Sequence, residues 1–60
     1  MKLPEAQGKR LLKLYLTGEP GGGPWSTMKV LERKGLLTLG HHIEVTPKGR
    51  QWCDDNHLSY

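Results

Sequence analysis

The 60 residues contain no phenylalanine and a single cysteine. Without Phe, leucine and the two tryptophans have to supply most of any core. The lone Cys53 excludes an internal disulfide and fits a reducing compartment. No Cys-x-x-Cys pair occurs, so the spacing that structural zinc sites prefer is missing. No apolar run approaches the ~20 residues needed to span a bilayer, and no signal-peptide core follows the N-terminus. These absences point to a soluble, cytoplasmic protein without membrane contact. Lys and Arg are also absent from the last ten positions, which carry Asp54 and Asp55. Positions 1–50 set nine Lys and Arg against four Glu, leaving +5 there and +3 for the whole chain. A basic body of this kind suits nucleic-acid contact, although many solvated surfaces share it.

What is present fits one domain over 1–60. A chain this short buries only ~60% of its extended surface, so its stability gains from a partner or a second copy. Residues 4–16 read as a first helix, with Pro4 at its first position and Glu5 near the positive end of the helix dipole. Leu11, Leu14 and Tyr15 share one face, widened by Leu12 and Leu16, while Lys9, Arg10 and Lys13 fall opposite. Gly8 lies on the apolar side, where it lets another backbone approach, and Gly18 suits a left-handed cap.

Residues 18–24 form a loop by their Gly and Pro content. A glycine-rich loop can cradle a phosphate through backbone N–H groups. This one lacks the Gly-Lys-Ser/Thr ending of a P-loop and follows no apolar strand, so it reads as a flexible connector. The second helix opens at Pro24 with Gly23 as cap, or at Ser26 as N-cap, and closes at Gly35. Trp25, Met28 and Leu31 form its inward stripe. Ser26, Lys29 and Arg33 share another face.

Residues 36–39 and 43–46 read as a hairpin. A three-residue turn, Gly40-His41-His42, sets Leu39 opposite Ile43 and Leu37 opposite Val45, all on one face. A two-residue turn splits the apolar set across both faces, so the longer turn is expected. Thr46-Pro47 then opens a short helix ending near Asn56, anchored in the core by Trp52. Residues 57–60 are expected to be a loose tail. The predicted fold is α+β, in the order helix, helix, hairpin, short helix. Its core is predicted to combine Leu11, Tyr15, Trp25, Met28, Leu31, Ile43, Val45 and Trp52.

This order, with the run Leu31-Glu32-Arg33-Lys34-Gly35-Leu36-Leu37 and the segment Val45-Thr46-Pro47-Lys48-Gly49-Arg50, resembles the second half of a winged helix-turn-helix domain. The MarR-like and PadR-like regulators and small winged-helix-like phage or prophage proteins share it, and the resemblance covers about half the chain. It implies a recognition helix over 24–34 that enters the major groove, and a wing over 36–46 that touches phosphate or the minor groove. The family has a further helix between the first and the recognition helix. Only ten residues, mostly Gly or Pro, separate Leu16 from Thr27 here, so that helix is expected to be reduced or missing. Specific operator binding by a lone monomer is therefore not expected, and a homodimer would supply both burial and a second basic face.

The resemblance and the charge distribution together imply a small DNA-binding regulatory protein. Its contacts with duplex DNA are assigned to Ser26, Lys29 and Arg33, joined by Lys48 and Arg50 at the next helix start. The rival class is a protein-interaction module, an adaptor or inhibitor of phage type, docking through the Leu-rich first helix or an exposed Trp25 or Trp52. No enzyme is expected, since no cleft of convergent polar groups can be argued at this size. Asp54 and Asp55 read as a solvated acidic end. His41, His42, Cys53 and His57 are metal-competent, but their spacing favours neither zinc nor any other cofactor.

Overall fold

In the computed structural model, which describes residues 2–19, 21 and 23–58, the chain runs α1 (Glu5–Thr17), α2 (Trp25–Arg33), β1 (Leu37–Leu39), β2 (Ile43–Val45) and α3 (Pro47–Asn56). This is a small α+β arrangement of three helices and one two-stranded antiparallel hairpin. Among the described residues between Gly18 and Pro24 there is no helix. None of the helices formed by the described residues is long and apolar enough to cross a membrane.

Pro4 stands just outside α1 as its N-cap residue, and the first-turn carboxylate of Glu5 pairs with Lys9 at 2.6 Å. The helix ends at Gly18, whose φ of +76° is the left-handed conformation expected of a capping glycine; its N–H donates to the Leu14 carbonyl at 2.9 Å. Helix α2 starts one residue later than a Pro24 opening requires: Pro24 is the cap position and Trp25 the first helical residue. Ser26 lies inside the first turn and is not the cap.

The hairpin pairs Leu37 with Val45, Thr38 with Glu44 and Leu39 with Ile43. This is the three-residue turn, and it puts Leu37 against the core with Leu39, Ile43 and Val45 packed around it. Thr38 and Glu44 face solvent. Thr46 caps α3 by accepting the Gly49 N–H on its hydroxyl, with Pro47 in the first turn.

Helix α1 packs against α2, α3 and β2, while α2 packs against β1. Leu11, Met28, Leu31, Leu36 and Cys53 are fully buried at the centre, and Trp52 is 5% exposed. Tyr15, Ile43 and Val45 are partly buried against them. One expected core residue lies outside: Trp25 is 51% exposed. Leu16, at the edge of the apolar stripe of α1, is 65% exposed. At ~100° per residue, Trp25 lies about 60° from Met28 and about 120° from Leu31, at the margin of the stripe and at the very start of the helix. Leu16 lies about 40° from Leu12 on the wheel, in the last turn of α1. Arg10 also departs from its expected place on a solvent face: it is half-buried and reaches across to the loop. Of the expected tail, His57 and Leu58 form a turn with exposed side chains, and Ser59 and Tyr60 lie outside the described residues.

Candidate nucleic-acid interface

Helix α2 lies on the core through Met28 and Leu31, which fixes where its other faces point. Ser26, Lys29 and Arg33, spaced three and four residues apart, form one exposed ridge. Neither Lys29 nor Arg33 has an ion pair or side-chain hydrogen bond among the described residues. Their neighbours on the helix are occupied. Glu32 accepts the Leu39 N–H on Oε2 at 3.1 Å, tying α2 to β1, and Lys34 donates to Gln7 Oε1 at 2.8 Å, tying α2 to α1. The carboxylate next to Arg33 is thus turned toward the hairpin backbone, and the ridge keeps its two positive charges.

Lys48 and Arg50 are both exposed in the first turn of α3. Two residues apart on a helix, they leave it on nearly opposite sides. The Lys48 stem passes near Gly35, its Cδ about 4.0 Å from where a β-carbon would stand, just beyond the end of α2. Arg50 acts on the other side, where its charge is felt at Tyr15. Lys48 thus stands by the α2–β1 junction, and Arg50 belongs to the α1–α3 side. The hairpin brings Gly40, His41 and His42 to its exposed tip and Glu44 to its outer face, with no Lys or Arg between positions 36 and 46.

On that second side, Tyr15 donates its hydroxyl to Asp54 Oδ1 at 2.9 Å. The bond to the carboxylate raises the Tyr15 pKa above its ordinary value, with burial adding to the effect. Asp54 is therefore a partner of α1, and not a purely solvated charge. Asp55 accepts from Gln51 at 3.0 Å. The Tyr15–Asp54 contact was not legible in the sequence, since pairing across 39 positions depends on how α1 and α3 cross.

The metal-competent side chains do not converge. His41 and His42 are exposed on the hairpin, His57 is exposed after α3, and Cys53 faces the core. Burial pushes the Cys53 thiol up to about 11, with the Asp54 charge adding to the shift. It stays protonated at neutral pH, unsuited to act as a nucleophile. Among the described residues no group of three His, Cys, Asp or Glu is placed to hold a metal ion.

Comparison with protein-family models, with curated proteins and with solved structures finds no match to this chain.

Proposed function

We propose that this is a small winged-helix-like DNA-binding protein of regulatory type, acting in the cytoplasm. It contacts duplex DNA through Ser26, Lys29 and Arg33 on α2, with Lys48 alongside and Arg50 extending the positive surface. The observation that carries the reading is the exposed Lys29–Arg33 ridge, free of paired carboxylates, on a helix that runs straight into an antiparallel hairpin. Arg33 offers the planar fork that reads guanine or clamps a phosphate, and Lys29 a point charge suited to phosphate. The short wing contributes backbone and two histidines at its tip, a weak contact beside the helix. With no helix among the described residues between α1 and α2, affinity rests mainly on phosphate neutralisation, and a second copy doubles the phosphate contacts.

The test is a titration of salt against binding to a generic duplex, beside a mass measurement in solution. Log affinity that falls linearly with log salt supports the reading. No binding at low salt overturns it.

One observation favours a second reading. Trp25 projects from the start of α2 with half its surface exposed, and an exposed tryptophan suits the anchor of a protein-docking surface. On that reading the chain is a non-enzymatic interaction module, and Trp25→Ala abolishes partner binding while leaving any DNA affinity in place.

A further inference from the structure

The side of α1 that carries Lys9, Arg10 and Lys13 faces the glycine loop across a cleft of about 280 Å³. Gly21 and Gly23 line its other wall, and Thr27 from the first turn of α2 closes one end. No carboxylate is among the lining residues. Lys9 is held by Glu5, but Arg10 and Lys13 have no ion pair among the described residues.

Arg10 is the distinctive member. Its Nη1 donates to the Pro24 carbonyl at 3.4 Å, a long bond, while its Nε lies buried with no partner among the described residues. A half-buried guanidinium with an unused inner N–H is costly unless an anion completes it. Gly21 and Gly23 lie close to the two cations. A β-carbon on Gly23 would collide with Arg10 Nη1, and one on Gly21 would press on the Lys13 stem at 3.1 Å from Cδ. Both glycines also hold positive φ, +75° at Gly21 and +155° at Gly23, so the backbone itself calls for glycine where the two cations pass. The start of α2 has no side-chain cap and adds a positive field to the same end of the cleft.

We propose that this cleft is an anion site that takes a phosphate group, with Arg10 donating to its oxygens and Lys13 and Lys9 supplying charge. The inference stands apart from the Lys29–Arg33 ridge and does not depend on it. The phosphate is either that of a free phosphorylated small molecule or one carried on a nucleic-acid backbone, and the chemistry of capture is the same.

The test uses the full chain labelled with ¹⁵N and titrated with inorganic phosphate, chloride being exchanged to hold ionic strength constant. Saturable shifts are expected at the amides of Gly21, Gly23 and Thr27 and at Arg10 Nε–H. Arg10→Gln should weaken binding roughly tenfold or more, the loss of a charge-assisted hydrogen bond. Lys13→Gln should weaken it by a smaller factor, and Lys2→Gln should leave it unchanged. Spectra that otherwise match the parent chain confirm that each variant is folded.

A second arm adds a short duplex. If the duplex shifts the same amides and Arg10→Gln flattens its salt dependence by about 0.9, the phosphate is that of a nucleic acid. If phosphate saturates the site and the duplex leaves these amides alone, the ligand is a small phosphorylated compound. Shifts that never saturate, or binding that Arg10→Gln leaves unchanged, overturn the proposal. The ridge on α2 is tested by its own variants, so the two can fail separately.

Discussion

Gly49 lies directly against the carbonyl oxygen of Leu36, with no room for a β-carbon between them. The Cγ1 of Val45 crowds the same point at 2.8 Å. The Leu36 oxygen cannot easily retreat, because it accepts the Thr46 N–H at 3.1 Å and its residue is fully buried. The first turn of α3 is thus pressed onto the chain just before β1, and only glycine permits that approach.

Gly49→Ala should therefore destabilise the fold, by about 1–3 kcal/mol or more, although alanine is the better helix former. Urea unfolding measures it. A neutral or stabilised variant would show that α3 can slide without loss.

Thr46 secures the same junction. Its hydroxyl donates to the Gly35 carbonyl at 2.7 Å and accepts the Gly49 N–H at 3.0 Å, joining the end of α2 to the start of α3. Thr46→Val keeps the shape and removes both bonds, for an expected loss of about 1–2 kcal/mol. Thr46→Ser should recover most of it. If valine and threonine prove equally stable, the hydroxyl has no structural role.

These contacts show which parts of the fold could be read from sequence. The hairpin register followed from Leu37, Leu39, Ile43 and Val45, because a slip of one residue would turn half of them to solvent. The Thr46-Pro47 cap is local chemistry and was legible for that reason. Trp25 was misplaced because a helical wheel gives direction but not how far along a helix the neighbouring elements extend. Gly49 was passed over as one residue of a family-like segment, though glycine in the first turn of a helix signals a close neighbour. The exposure of the Lys29–Arg33 ridge was legible from the spacing of Met28 and Leu31. The Arg10 cleft was not, since it forms only where Gly21 and Gly23 come to lie against α1.

The buried thiol makes stability depend on alkaline pH. The Cys53 pKa is raised from 9.0 to about 11 in the folded chain. The unfolded chain releases this proton first, so above pH 9 it binds fewer protons than the folded one, and stability falls with rising pH until about pH 11. Below pH 9 the contribution is intact. The loss is on the order of 1–3 kcal/mol across the window. Tyr15, raised by its bond to Asp54, pulls in the same direction above pH 10. Urea midpoints measured from pH 8 to 11 should decline, and Cys53→Ala should flatten the decline up to pH 10. An equally steep decline in that variant would assign the effect to other groups.

The ridge on α2 yields the test that bears most directly on function. Lys29 and Arg33 stand exposed without an ion pair among the described residues, so on the DNA reading each neutralises a phosphate, or one of them reaches a base edge. Each phosphate contact contributes about 0.9 to the slope of log affinity against log salt. The double change Lys29→Glu, Arg33→Glu should weaken duplex binding at low salt and flatten the slope by roughly two units. The fold should survive, since surface changes of this kind stay within about 0.5 kcal/mol. The contrasting control is Leu31→Ala on the other side of the same helix. Leu31 is fully buried, and its truncation should cost about 2–5 kcal/mol by opening a cavity. Binding measured by anisotropy, with unfolding followed on the same samples, separates loss of contact from loss of structure. A double variant that keeps the parent slope would remove α2 as the DNA-contacting element and move the weight to the exposed Trp25.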